Sequence, residues 1–134
     1  MITKVWPQPL IVVRDVPASS RFYAQILEAE SAHGGDEYDQ LVSGGELILQ
    51  LHHIDVGDHH GRLASPDVPL GNGSLLWFEV SDFDAAVRRV REGDARVERD
   101  VHVNPNAKQR EIWLRDPDGY LVVLAGPSEY RLRT

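Results

Sequence analysis

Apolar and polar positions follow a pattern along this chain that occurs twice. Leu10-Ile11-Val12-Val13 is an apolar run closed by Arg14-Asp15, and from Pro17 the spacing becomes helical, with Ala18, Phe22 and Ile26 about a turn apart. Leu75-Leu76-Trp77-Phe78 leads in the same way to Asp82 and a second helical stretch carrying Phe83, Val87 and Val90. Aligning the two aspartates gives an offset of 82 − 15 = 67, half of the 134 residues. Each Asp can accept the free N–H groups of a first helical turn, and Pro17 stands where a missing N–H costs nothing. Leu27 closes the first helix and Gly93 stops the second.

Three strand-like runs follow each helix, at about 29–32, 38–42 and 47–52, and again at about 95–103, 110–114 and 120–124. Asp116-Pro117-Asp118-Gly119 has the residues of a type I turn followed by a left-handed glycine, and Ser43-Gly44-Gly45 is its counterpart. Each half therefore reads β-α-β-β-β. The predicted fold is α+β, a single domain over 1–134 with module one at about 6–53, a connector at 54–73 and module two at about 74–127. Each module holds about half a core, so the two are expected to form an open, barrel-like mixed sheet around a shared cavity.

Composition narrows the chemistry. The formal charge is 14 − 21 = −7, which repels phosphate backbones and anionic lipid, and Arg88, Arg89 and Arg91 form the only tight basic cluster. No apolar run has membrane-spanning length and no export signal opens the chain. A soluble, cytoplasmic protein without nucleic-acid or membrane partners is expected. Cysteine is absent, which leaves His, carboxylates, amides and hydroxyls for any reaction.

From Gln8 to Pro127 the chain resembles the vicinal oxygen chelate superfamily, which includes glyoxalase I, bleomycin-resistance proteins and extradiol dioxygenases. The resemblance is carried by Val12-Val13-Arg14-Asp15 with Phe22-Tyr23 behind it, and by Arg110-Glu111 leading into Asp116-Pro117-Asp118-Gly119-Tyr120. Gln109-Arg110-Glu111 is most similar to the antibiotic-binding and glyoxalase-like members. The resemblance implies a cavity enclosed by two modules and, in metal-dependent members, ligands from the first and fourth strands of each. Those positions are Gln8, Gln50, Leu75 and Val123 here. Two neutral amides and two aliphatic side chains do not make a transition-metal site, so no metal is expected there; Leu75 and Val123 read as core.

The remaining candidates are polar and aromatic. Strand alternation puts His52 on the face that carries Gln50, while His59 and His60, in the connector, could fold over it, with His102 on a later strand. Glu111 could act as an acid or base if it lines a partly apolar pocket, or could pair with Arg110 or Arg131 at the surface. Trp77 and Trp113 offer flat apolar area for a planar ligand, with core packing as the alternative for Trp77. Asn104 and Asn106 stand at a lip loop.

The site is therefore expected at Gln8, Gln50, Trp77, Asn104, Asn106 and Trp113, with His52 and Glu111 as catalytic candidates. The function expected is cofactor-free binding of a small, partly aromatic or carbonyl-containing compound, neutral or weakly cationic given the charge of −7. The alternative is a metal-dependent lyase, isomerase or dioxygenase with a divalent ion at a non-standard His/Glu site. The long connector would permit modules to be exchanged in a homodimer.

Overall fold

Asp15 and Asp82 cap the two helices as their spacing predicts. Each Oδ1 accepts an N–H at 3.0 Å, from Ala18 and from Ala85, which opens α1 (Val16–Leu27) and α2 (Phe83–Glu92). The computed structural model describes residues 5–56, 63–106 and 108–127; His59, His60 and Arg131 lie outside them.

Around α1 run β1 (Leu10–Val13), β2 (Glu30–Ser31), β3 (Tyr38–Ser43) and β4 (Glu46–His53). Around α2 run β5 (Leu75–Glu79), β6 (Arg96–Asn104), β7 (Gln109–Arg115) and β8 (Leu121–Ala125). The strand orders are β1-β4-β3-β2 and β5-β8-β7-β6, the same order twice. In each sheet the first pair is parallel and the other two antiparallel, so both sheets are mixed. Leu10 pairs with Gln50 and Trp77 with Val123, so the offset of 67 holds between β1 and β5 and grows to 123 − 50 = 73 between β4 and β8. The modules make two separately hydrogen-bonded sheets rather than one continuous barrel.

One core joins the modules. Ile11, Val13, Leu49 and Leu51 from the first sheet share a cluster with Ile112, Leu114, Val122 and Leu124 from the second, between α1 residues such as Tyr23 and α2 residues such as Phe83. The Asp116–Gly119 turn also clasps the first module. Tyr23 Oη donates to Asp116 Oδ2 at 2.7 Å, Tyr120 Oη donates to the Val12 carbonyl at 2.7 Å, and Arg14 N donates to Asp118 Oδ1 at 3.2 Å. Burial pushes the Asp116 carboxyl up, and the hydrogen bonds from Tyr23 and from the Tyr120 and Asp118 N–H groups oppose that rise without cancelling it.

Candidate functional site

Because Leu49, Leu51, Val122 and Leu124 turn toward the helices, their strand neighbours Gln50, His52 and Val123 turn to the opposite face. This open face differs between the two sheets. On the first, Gln50 Oε1 accepts from Tyr38 Oη at 2.6 Å, Gln40 Nε2 donates to the same hydroxyl at 3.0 Å, and Gln50 Nε2 donates to the Gln8 carbonyl at 2.9 Å. His52 is 7% exposed, with Nδ1 2.9 Å from the His53 carbonyl, a contact that makes Nδ1 the donor.

On the second sheet, strand pairing lines up Trp77, Val123, Trp113 and Arg99 as one transverse row, and Glu79, Ala125, Glu111 and His102 as the next. Glu111 is fully buried. Its Oε1 accepts from Trp113 Nε1 at 2.9 Å and lies 3.3 Å from His102 Nε2, while Oε2 accepts from Asn104 Nδ2 at 2.8 Å. It is therefore not the surface partner of Arg110, which pairs with Asp84 at 2.9 Å and covers the Phe83 ring. Trp77 is 40% exposed and Leu75 43% exposed, which corrects the expectation that Leu75 is core and decides against core packing for Trp77. Both lie on the outward side of an edge strand, where nothing in the chain's own sheet covers them. Val123 is fully buried, as expected.

The expected site residues thus fall into two groups. Asn104, Glu111 and Trp113 meet in one network with Trp77 in the same row as Trp113, and Gln50 and His52 sit on the other sheet. Gln8, expected on the first strand, instead precedes β1, is exposed, and meets Gln50 through its carbonyl. Asn106 is exposed at the β6–β7 turn, its N–H donating to Asn104 Oδ1 at 2.9 Å. Three surface cavities of about 530, 550 and 840 Å³ lie elsewhere, and none is lined by any of these eight residues. Sequence reasoning missed Tyr38, Gln40 and Arg99, and placed His102 only loosely. Counting back from the Asn104↔Gln109 pair puts His102 opposite Glu111, so that contact was readable.

The residues at the family's metal positions do not fit a divalent ion. The Gln50 amide is occupied at both ends, and the aliphatic Leu75 and Val123 have no donor atom. Among the described residues, no three His, Asp or Glu side chains stand close enough to hold an ion.

Two four-stranded β-α-β-β-β modules with an open face on each sheet define a glyoxalase-type protein. The sequence profile of the Glyoxalase/Bleomycin resistance protein/Dioxygenase superfamily matches residues 6–124, and the chain belongs to that superfamily. No curated protein sequence matches it. Among solved structures it is similar to a protein of unknown function from Agrobacterium tumefaciens str. C58, at 21% identity over 95% of this chain and 97% of that chain, with a TM-score of 0.74. A glyoxalase/bleomycin resistance protein/dioxygenase from Nocardioides matches at 18% identity over 99% and 93%, with a TM-score of 0.71. Fosfomycin resistance protein FosX from Mesorhizobium loti matches at 15% identity over 96% of each chain, with a TM-score of 0.66. At these identities the likeness carries the fold alone. No helix among the described residues is long and apolar enough to cross a membrane.

Proposed function

We propose that this protein binds a small, planar, partly apolar organic molecule on the open face of the second sheet, without a metal at the family's ligand positions. The observation that supports this reading is the Trp77–Val123–Trp113 row, which sets two indoles on one face on either side of a buried valine. Val123 between them is fully buried, so a flat ring would lie against Trp77, which is 40% exposed, and the half-buried Trp113, on strands roughly 10 Å apart, rather than on Val123 itself. Glu111 supports it further, because the hydrogen bond to Trp113 Nε1 fixes one of the two rings before any ligand arrives.

Calorimetric titration with 2-naphthol tests the proposal. Saturable binding is expected, weakened at least tenfold in Trp77→Ala and in Trp113→Ala; absent binding, or binding that both variants retain, overturns it. Elemental analysis of untagged protein tests the metal-free part, which a stoichiometric transition metal would refute.

The alternative reading, an enzyme of the lyase, isomerase or dioxygenase type, draws on the contact between His102 and Glu111. Turnover of an enolisable carbonyl compound, abolished in Glu111→Gln, would favour it. We propose in addition that the protein is a homodimer, in which the amide-rich face of one protomer's first sheet closes over the indole row of its partner. Exposed Trp6, Leu10, Leu75 and Trp77 on or beside the edge strands β1 and β5 support that assembly.

A further inference from the structure

We infer that Arg99 makes the open face of the second sheet selective for planar ligands that carry an anionic group, the opposite of what a net charge of −7 implies. This inference rests on the ligand face proposed above and specifies which molecules that face takes.

The row of Trp77, Val123 and Trp113 ends at Arg99, which pairs with Trp113 across the β6–β7 ladder. Its guanidinium carbon lies 6.0 Å from the centre of the Trp113 ring, within the range of a cation–π contact. A regular ladder would not put it there. Asn104↔Gln109, Val103↔Arg110 and His102↔Glu111 share one register, which continued regularly would set Asp100 opposite Trp113. A register shift between Arg99 and His102 intervenes, and Arg99 takes the place instead. Asp100 turns to the helix side, where its Oδ1 accepts from Arg91 Nη2 at 2.6 Å. The irregular strand therefore exchanges a carboxylate for a guanidinium beside the indole.

Other charges on this face are already engaged. Glu111 is buried, accepts from Trp113 and Asn104 and faces His102, Arg115 pairs with Glu98 and donates to the Gly119 carbonyl, and Glu79, in the neighbouring row, is itself engaged. Arg99 is exposed and makes no ion pair among the described residues. The distant carboxylates behind the net charge act across a screening length of about 8 Å at physiological salt, whereas a ligand anion would meet the guanidinium in direct contact. A guanidinium also offers paired donors that match a carboxylate in plane, and the indole beneath it already orients it.

Three probes that share one ring system and differ in charge test this: 2-naphthoate, 2-naphthamide and 2-naphthylmethylammonium, titrated calorimetrically into the full chain. Naphthoate is expected to bind at least tenfold more tightly than naphthamide, with the ammonium weakest. Arg99→Gln, with an unchanged circular dichroism spectrum, is expected to bring the naphthoate-to-naphthamide ratio within twofold. Equal or tighter binding of the amide or the ammonium by the wild type, or a preference for naphthoate that survives Arg99→Gln, overturns the inference while leaving the ligand face intact. If none of the three binds the wild type, the ligand face itself fails and the inference falls with it.

Discussion

Two buried carboxylates show how environment decides what an acid does. Glu111 accepts from Trp113 and Asn104 and faces His102, so Glu111→Ala leaves buried donors without an acceptor. A loss of about 2–3 kcal/mol is expected in denaturant unfolding, together with a change in Trp113 emission. Asp39 is also buried, on the helix side of β3, and it is a structural group. Burial pushes its carboxyl up, but hydrogen bonds from Ser20, Ser31 and the Gly34 and Gln40 N–H groups outweigh that and bring it from 3.8 down to about 2. Because the folded value is the lower one, ionised Asp39 stabilises the fold above about pH 4, and that contribution fades as the pH falls toward 2. The difference corresponds to about 2 kcal/mol. Asp39→Asn is expected to cost about that much at pH 7 and only a few tenths at pH 2; unfolding curves that stay parallel across this range would contradict the assignment.

At the scale of elements, what could be read in the sequence was what depends on neighbours along the chain. The Asp caps, the helix spans, the Asp116–Gly119 turn and the succession of strands follow from local chemistry and stand in the structure, whereas the face that α1 buries runs through Val16, Ser19, Ser20, Tyr23 and Ile26 and leaves Ala18 and Phe22 half-buried. Register did not follow where the ladders slip. The β3–β4 pairing shifts between Leu41 and Val42, so counting from Gly44-Gly45 does not bring Tyr38 opposite His52 or Gln40 opposite Gln50. Packing between segments distant in sequence was equally hidden. Gly71, in the connector, adopts φ +87, and a Cβ there would meet Tyr120 Cα at 3.0 Å and the Gly119 carbonyl at 3.2 Å. Gly71→Ala is therefore expected to lower stability by about 1–3 kcal/mol, through both the left-handed backbone and the collision with the turn. Gly73→Ala, also left-handed but with open space around its Cβ, is the control, and a loss as large as that of Gly71→Ala would show that the collision contributes nothing.

For the whole molecule, the two open faces have parted in character although their folds match. The first presents phenol and amide hydrogen bonds, and the second presents indoles and a guanidinium. Neither is closed by the other within one set of hydrogen-bonded strands. If dimerisation covers them, the melting temperature should rise with protein concentration and light scattering should report twice the 15.0 kDa chain mass. A monomer at micromolar concentration would refute it. Glu79→Arg would test the seat from the neighbouring row, since a second cation beside the indoles is expected to strengthen naphthoate binding.

The slipped register of β6 also bears on how chains of this kind diversify. The residue that faces Trp113 is chosen by strand length as well as by sequence. Three residues of β6 span what two span on β7 between the His102 and Trp113 levels, so deleting Val101 would straighten the ladder and still leave Arg99 beside the indole. Restoring regular pairing at the present length would instead present Asp100 and reverse the sign of the charge there. A single-codon deletion in this edge strand can therefore keep the charge beside the indole, and a change of register at constant length can reverse it with no substitution at all, so alignments that score only columns of identical residues will overlook the difference.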